Sequence, residues 1–200
     1  IEDSVKYYSS ILPIIYTELM RHTQSLISEG VNPAHRMLRR RARPKILLCT
    51  TYEEAWSCFE KYHENVLGVI SDLEFPRAGV KDPEAGSAFI EAVRSWHKDI
   101  PILLQSEDPR IKEVAGELSA SFLMKNSPTL LNDLRRFMKE NFSFGDFVFR
   151  LPDGTEVGRA TDLRSLEELL HVVPGESLRY HGERNHFSNW LKARTEFLLA

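Results

Sequence analysis

The stretch Val66-Leu-Gly-Val-Ile-Ser-Asp72 decides the fold, because it is a short apolar run that ends at a carboxylate. Such a run predicts a strand buried on both faces, as the strands of parallel sheets are. Three other runs share this character and are separated by helical patterns; they cover residues 45–50, 100–105 and 121–124. Strands that alternate with helices predict βαβ units and therefore an α/β fold with a parallel sheet.

The segments between these runs carry helix start signals. Thr51 and Glu54 form a capping box for a helix that extends to about residue 63. Ser127 as the N-cap, with Pro128 as the first helical residue, predicts a helix to about residue 141. Apolar spacing predicts three more helices, at 5–26, 84–97 and 109–118, and Pro13 is expected to bend the first of them. A polar loop rich in proline and glycine follows Asp72, to about residue 82.

From Phe144 onward the pattern changes. Two short strands at 147–150 and 155–157 flank Pro152-Asp153-Gly154, which is a hairpin signal. Two helical stretches follow, at 163–171 and 185–197. We therefore predict two parts: an α/β domain at residues 1–142 and a small α+β C-terminal appendage at residues 143–200.

Composition limits the class of protein. The 200 residues are 42% hydrophobic and 28% charged, which is typical of a globular chain. A net charge of −3 gives no overall reason to expect nucleic acid, and the short apolar runs exclude a membrane-spanning helix. We see no secretory leader, and Cys49 and Cys58 lack a metal-ligand pattern. These features predict a cytoplasmic protein with reduced thiols.

One basic cluster interrupts the even charge distribution. Its members lie within ten residues and are Arg36, Arg39, Arg40, Arg41, Arg43 and Lys45. A solvated loop and a docking patch for an acidic partner both fit this pattern. Nucleic acid fits less well, because no aromatic residues for base stacking lie between the arginines.

Three polar side chains follow the ends of predicted strands. The carboxyl ends of parallel strands share one edge of the sheet, which is where ligands bind in open α/β folds. This edge gathers Asp72, Ser106 and Lys125. Glu2 and Asp3 would add an acidic pair, provided that they follow a strand whose body lies before Ile1. A carboxylate that attacks a phosphoryl group needs three kinds of neighbouring group: a cation, a hydroxyl, and acidic side chains that bind Mg²⁺.

These residues resemble the receiver domain of two-component response regulators, over residues 1 to about 141. Glu2-Asp3 resembles the family's acidic pair, Asp72 its phospho-accepting aspartate, Ser106 its hydroxyl residue and Lys125 its lysine. The resemblance implies that Phe122 is the aromatic switch residue. It also implies a Mg²⁺ site formed by Glu2, Asp3, Asp72 and the backbone carbonyl of Glu74. The implied fold is flavodoxin-like and doubly wound, with strand order 2-1-3-4-5 and a truncated first strand.

The sequence departs from the receiver pattern at two places. Glu107 stands after Ser106, where the family has a small residue that admits the phosphodonor. Lys125-Asn126-Ser127-Pro128 replaces the family's Lys-Pro pair. The tail from Phe144 resembles a segment of large bacterial proteins, in which it joins a receiver-like region to a phosphoenolpyruvate synthase-like portion. This second resemblance implies that the chain is a piece of a larger protein.

The resemblance implies a signalling module rather than an enzyme. We expect phosphorylation of Asp72 by a histidine kinase or a small phosphodonor, which regulates an attached or partner output domain. The second resemblance implies a phosphoenolpyruvate synthase-like portion as the candidate output domain. A homodimer is left open, and neither nucleic acid nor a membrane is an expected partner. One alternative is a degenerate receiver that serves only as an interaction or spacer domain. The other is a metal-dependent phosphohydrolase, since acids and a lysine at strand ends also suit phosphatases.

Overall fold

The computed structural model describes residues 1–28, 37 and 43–200, and forms two compact units. The first unit contains Ile1–Leu19 and Lys45–Phe137, and the second contains Met20–Pro44 and Met138–Ala200. Four arginines of the basic cluster lie outside the described residues: Arg36, Arg39, Arg40 and Arg41. Among the described residues, no helix combines the length and the apolar character needed to cross a membrane.

The first unit is built on a parallel sheet, as the alternation of strands and helices predicts. Its elements in chain order are α1 (Val5–Ser28, which continues into the second unit), α2 (Tyr52–Tyr62), β1 (Val69–Asp72), β2 (Phe75–Arg77), β3 (Val80–Asp82), α3 (Ala85–Trp96), β4 (Ile102–Ser106), α4 (Ile111–Glu117), β5 (Ser121–Met124) and α5 (Leu130–Asn141, which likewise continues). The sheet has the order β1-β4-β5, and all its pairs are parallel. In this register Asp72 lies opposite Gln105, and Ser106 lies opposite Met124.

The strand expected at residues 45–50 does not form. Leu47 and Leu48 are 51% and 42% exposed, so this run is not buried on both faces. One backbone bond, 3.1 Å from the Glu2 amide to the Cys49 carbonyl, joins its end to the start of the chain. A strand needs a ladder of such bonds, which apolar character alone does not supply. Ile1 in turn bonds to β1, from its amino group to the Ile70 carbonyl (2.5 Å) and from the Asp72 amide to its own carbonyl (2.9 Å).

Two local expectations were also wrong. The loop after Asp72 contains the antiparallel hairpin β2–β3, whose turn places Ala78 and Gly79 at positive φ values of 53° and 77°. An alanine in that conformation is uncommon, so the turn had no clear sequence signal. Helix α5 begins at Leu130 rather than at Pro128, because the Ser127 hydroxyl accepts from the Thr129 amide (3.1 Å) in a turn that precedes the helix.

The core of the first unit lies between the sheet and helices α2 and α3. Half of the predicted capping box of α2 is present: the Thr51 side chain accepts a bond from the Glu54 amide at 3.2 Å, whereas the Glu54 carboxylate accepts from the Thr50 amide at 2.9 Å. The rings of Phe59 on α2 and Phe89 on α3 meet edge to face, with their centroids 6.3 Å apart. Burial of such apolar surface contributes most of the stability of a fold. The fully or nearly buried residues of this core include Phe75, Ala85, Ile90, Val93, Ile102 and Leu104.

The second unit contains the predicted hairpin. Strands β6 (Phe147–Arg150) and β7 (Glu156–Ala160) pair antiparallel with a bulge, and helices α6 (Leu163–Leu170), α7 (Gly175–Gly182) and α8 (His186–Ala193) follow. Phe147 and Phe149 are both buried against Trp190, as their alternation predicts. Helix α7 was not predicted, and α8 ends four residues earlier than expected.

A pair of histidines in this unit has defined tautomers. The Arg150 amide donates to Nε2 of His181 (2.8 Å), so the ring proton of neutral His181 lies on Nδ1. That nitrogen is 2.9 Å from Nδ1 of His186 and therefore donates to it. The pair therefore makes structural hydrogen bonds.

Candidate functional site

The site lies at the carboxyl ends of the strands and is centred on a buried ion pair. Asp72 is the last residue of β1, and Lys125 directly follows β5. The Lys125 backbone amide bonds to the Ser106 carbonyl (2.9 Å), which continues the sheet by one residue. Its ammonium group reaches Asp72 Oδ2 at 2.6 Å. Two residues that are 53 positions apart are thus joined at one edge of the sheet.

The same ammonium group also binds Glu2. Lys125 Nζ lies 2.7 Å from Glu2 Oε2, and the amide group of Gln105 lies 3.4 Å from that oxygen. The other oxygen of Glu2 accepts from the Ser4 amide at 3.1 Å. Burial raises the pKa of Glu2, although the bond from Lys125 opposes this change. Burial alone would lower the pKa of Lys125, but its bonds to Asp72 and Glu2 outweigh burial and raise it.

Three carboxylates converge at this place. One oxygen from each of Glu2, Asp3 and Asp72 lies within 4.8 Å of the others. Oxygen ligands from a few carboxylates are what Mg²⁺ prefers. Each carboxylate oxygen has two lone pairs, so those that already accept one bond keep acceptor capacity. This donor set therefore fits a divalent cation.

The other predicted site residues lie at the same end of the sheet or just beyond it. Ser106 ends β4, and its hydroxyl accepts from the Asp108 amide at 3.2 Å. Phe122 lies in β5 opposite Leu104 and packs, partly buried, on the core. Glu74 precedes the β2–β3 hairpin, and its side chain lies 3.6 Å from the ammonium group of Lys81. The metal-binding role of its carbonyl and the switch role of Phe122 stay predictions.

A hydrogen-bonded bridge of three side chains lies beside the ion pair. The Tyr7 hydroxyl on α1 donates to Glu107 Oε1, and the side-chain amide of Asn126 donates to the same oxygen at 2.8 Å. The Tyr7 ring also lies over Lys125, with 4.2 Å from Nζ to its centroid. The bonds from Tyr7 and Asn126 hold the pKa of Glu107 below its usual value. From the sequence, Glu107 was identified only as a departure from the receiver pattern, and nothing in the sequence indicated a role for Tyr7.

Gly86 is a second residue that sequence reasoning missed. Its amide donates to the Leu73 carbonyl at 2.7 Å, which ties the start of α3 to the residue after Asp72. A Cβ at this position would lie 2.4 Å from the Asp72 carbonyl oxygen and 2.7 Å from Leu73 Cα. Only glycine therefore allows this approach. The Leu73 amide in turn donates to Asp72 Oδ1 (2.7 Å) and orients the carboxylate.

The arrangement presents an oriented carboxylate next to a buried cation and two further acids. It is suited to bind a divalent cation and to act as a nucleophile toward an electrophile that carries negative charge. Comparisons of the chain with protein-family models, with curated proteins and with solved structures found no match.

Proposed function

We propose that the first unit is a receiver module of phosphorelay signal transduction, which accepts a phosphoryl group on Asp72. The observation that carries this proposal is the position of Lys125, whose ammonium group binds both Asp72 and Glu2 beside Asp3. An ion pair with only a structural role gains nothing from a third carboxylate, because that carboxylate repels the other two. A phosphoryl-transfer site needs the additional carboxylate to bind a metal ion, because a metal ion and a cationic side chain must together face the phosphoryl oxygens.

The chemistry follows from the geometry of Asp72. A carboxylate oxygen of Asp72 attacks phosphorus, the bond from phosphorus to the donor's leaving group breaks, and the leaving group departs with that electron pair. The Leu73 amide fixes the orientation of the attacking carboxylate. The Lys125 ammonium then stabilises negative charge on the transferred group.

Glu2, Asp3 and Asp72 would hold Mg²⁺, with the Glu74 carbonyl as a further oxygen ligand. A bound Mg²⁺ supplies charge neutralisation for the phosphoryl oxygens. Three carboxylates with one ammonium group carry excess negative charge, which favours the uptake of a divalent cation.

The backbone contacts of Ile1 support the receiver strand order 2-1-3-4-5. Ile1 bonds to β1 through Ile70 and Asp72, while Glu2 next to it bonds to Cys49. Residues 1–2 thus have β1 on one side and the 45–50 segment on the other, as the central strand of that order would. The observed order β1-β4-β5 would correspond to the 3-4-5 part of this order.

The proposed consequence of phosphorylation is a change at the face of β4 and β5. Ser106 would move toward the phosphoryl group, and Phe122 would follow it. A histidine kinase or a small phosphodonor would supply the phosphoryl group in the cytoplasm. An attached or partner output domain, for which a phosphoenolpyruvate synthase-like portion is the candidate, would respond.

The test is the intact mass of the chain after incubation with Mg²⁺ and acetyl phosphate. We expect one added phosphoryl group on the wild type and on Asp133→Asn, a matched change on α5, and none on Asp72→Asn. Beryllofluoride with Mg²⁺ should raise the unfolding temperature of the same two proteins only, because it binds only where Asp72 is present. Modification that persists in Asp72→Asn would refute the proposal. Sustained release of phosphate from a generic phosphomonoester would instead indicate a phosphohydrolase.

The degenerate receiver is the second candidate, and one observation favours it. The Tyr7–Glu107–Asn126 bridge holds a carboxylate at the position after Ser106, where the receiver resemblance implies a small residue that admits the phosphodonor. A site of this kind would keep Lys125 paired with Asp72 and would serve only to bind partners. Failure of every phosphodonor and of beryllofluoride to act on the wild type, with unchanged partner binding by Asp72→Asn, would establish this candidate instead.

A further inference from the structure

The acidic cluster of Glu2, Asp3 and Asp72 has beside it a bridge of side chains from three separate elements. Tyr7 belongs to α1, Glu107 follows β4, and Asn126 follows β5. Both neighbours donate to one oxygen of Glu107, so its second oxygen lacks a partner from this bridge. These three residues are far apart in sequence and meet only because the strand ends share one edge.

The groups below this bridge are almost covered. The side chains of Asp72, Glu2 and Lys125 are 14%, 5% and 3% exposed. Glu107 itself is exposed, and the Tyr7 ring lies directly against the ammonium group of Lys125. The carboxylate of Glu107 is thus linked to the Lys125–Asp72 ion pair through Tyr7, and a phosphodonor that approaches on this side would meet it.

The charge of Glu107 is fixed by its surroundings. The hydrogen bonds from Tyr7 and Asn126 favour its ionised form. The carboxylates here (Glu2, Asp3, Asp72 and Glu107) outnumber the cations that the described part of the chain places near them, which are Lys125, Lys6 and the amino group of Ile1. A donor with an anionic leaving group meets repulsion at Glu107, whereas a donor with a cationic leaving group meets attraction.

We propose that Glu107, held by Tyr7 and Asn126, is a specificity-determining residue that selects nitrogen-linked phosphodonors over acyl phosphates. This inference rests on the proposed acceptance of a phosphoryl group by Asp72. In a protonated phosphoramidate the leaving nitrogen carries positive charge and lies beside Glu107. Asp72 attacks phosphorus, the nitrogen–phosphorus bond breaks, and the amine departs neutral with the electron pair. With acetyl phosphate the oxygen–phosphorus bond breaks and acetate departs as an anion past Glu107.

The test compares two small donors, phosphoramidate and acetyl phosphate, by the rate at which each modifies Asp72. Glu107→Gln keeps the size of the side chain and removes its charge. We expect it to lower the ratio of the phosphoramidate rate to the acetyl phosphate rate by about tenfold, as loss of one charged contact would. Glu113→Gln on α4 is the matched control, since it removes an exposed carboxylate with no contact to the bridge, and it should leave the ratio unchanged.

The variant Tyr7→Phe distinguishes the effect of the Glu107 charge from the effect of the bridge as a steric barrier to the donor. It removes the hydroxyl that holds Glu107 but keeps both the ring over Lys125 and the Glu107 carboxylate. We expect both donors to react faster, with the ratio between them reduced much less than in Glu107→Gln. Tyr8→Phe controls for the loss of a hydroxyl on the same helix.

The outcomes distinguish the two proposals. An unchanged donor ratio in Glu107→Gln, while Asp72 is still phosphorylated, would overturn the role of Glu107 and leave the receiver function standing. A fall of the ratio by the same factor in Glu113→Gln would also overturn it, because the effect would then be general electrostatics. Absence of Asp72-dependent modification by both donors in every variant would remove the proposed function, and this inference with it.

Discussion

Replacement of Gly86 by alanine tests the close approach between α3 and the residues after Asp72. A Cβ at this position would meet three backbone atoms: the Asp72 carbonyl oxygen at 2.4 Å, Leu73 Cα at 2.7 Å and the Leu73 carbonyl oxygen at 2.9 Å. Backbone atoms cannot rotate away as the end of a side chain can. Helix α3 or the Asp72–Leu73 segment must therefore shift, and the 2.7 Å bond from the Gly86 amide to the Leu73 carbonyl would lengthen.

The magnitude follows from two opposing effects. Overpacking of this kind costs about 1–3 kcal/mol, and contact with three backbone atoms places Gly86→Ala near the upper value. The higher helix propensity of alanine stabilises the folded state by at most about 1 kcal/mol relative to glycine, and by less in the first turn of a helix. We therefore expect the free energy of unfolding to fall by about 2 kcal/mol.

Chemical denaturation of the full chain measures this change, with Gly116→Ala in α4 as the matched control. A Cβ at Gly116 meets no atom within 4 Å, so this variant should be as stable as the wild type or slightly more stable. The proposed phosphorylation of Asp72 should also be slower in Gly86→Ala, because the Asp72 carboxylate lies on the displaced segment. Equal denaturation midpoints for the two variants would refute the steric reasoning.

Three further predictions concern buried groups. Lys125→Met should destabilise the protein by about 3–5 kcal/mol at neutral pH, because Glu2 and Asp72 lose their shared cation. Denaturation at acidic pH should show a smaller loss, since burial raises the pKa of Glu2 and this carboxyl group is then protonated. Burial lowers the pKa of both His22 and His181 from 6.5 to about 4, so their neutral forms are favoured in the folded state. The stabilisation that each neutral histidine contributes is therefore complete above pH 6.5 and is lost as the pH falls toward 4, by at most about 3 kcal/mol for each histidine. The free energy of unfolding of His22→Gln should depend less on pH than that of the wild type, and an unchanged pH dependence would contradict this. Phe149→Ala, which empties a fully buried position, should cost about 3–5 kcal/mol in the same assay, against little change for Val172→Ala on the surface.

The parallel sheet was predictable from the sequence because its strands are short, apolar and separated by capped helices. The strand at 121–124 has the predicted bounds, and β1 and β4 differ from prediction by only a few residues. The 45–50 run has the same apolar character, yet it forms no strand. Strand formation depends on a hydrogen-bonded neighbour, and that information is not contained in the run itself.

The same distinction applies to the site. Asp72 and Lys125 could be placed together because parallel strands end at one edge, which is a rule of topology. Gly86 and Tyr7 could not, because their importance arises from contacts that depend on the positions of whole helices. The Glu107 side chain pairs with Tyr7, 100 positions away, and no spacing rule connects these two residues.

The hydrogen bond from the Arg150 amide to His181 links the backbone of the β6–β7 hairpin to the protonation state of a histidine ring. Arg150 lies at the bulge of the β6–β7 hairpin, where its amide points to an imidazole instead of the opposite strand. Protonation of His181 at Nε2 would remove the acceptor and leave that amide facing a positive charge. The contact of the Arg150 amide and the protonation state of the ring are therefore thermodynamically coupled. A nitrogen chemical shift of His181 would report, through one nucleus, whether the hairpin keeps its alignment.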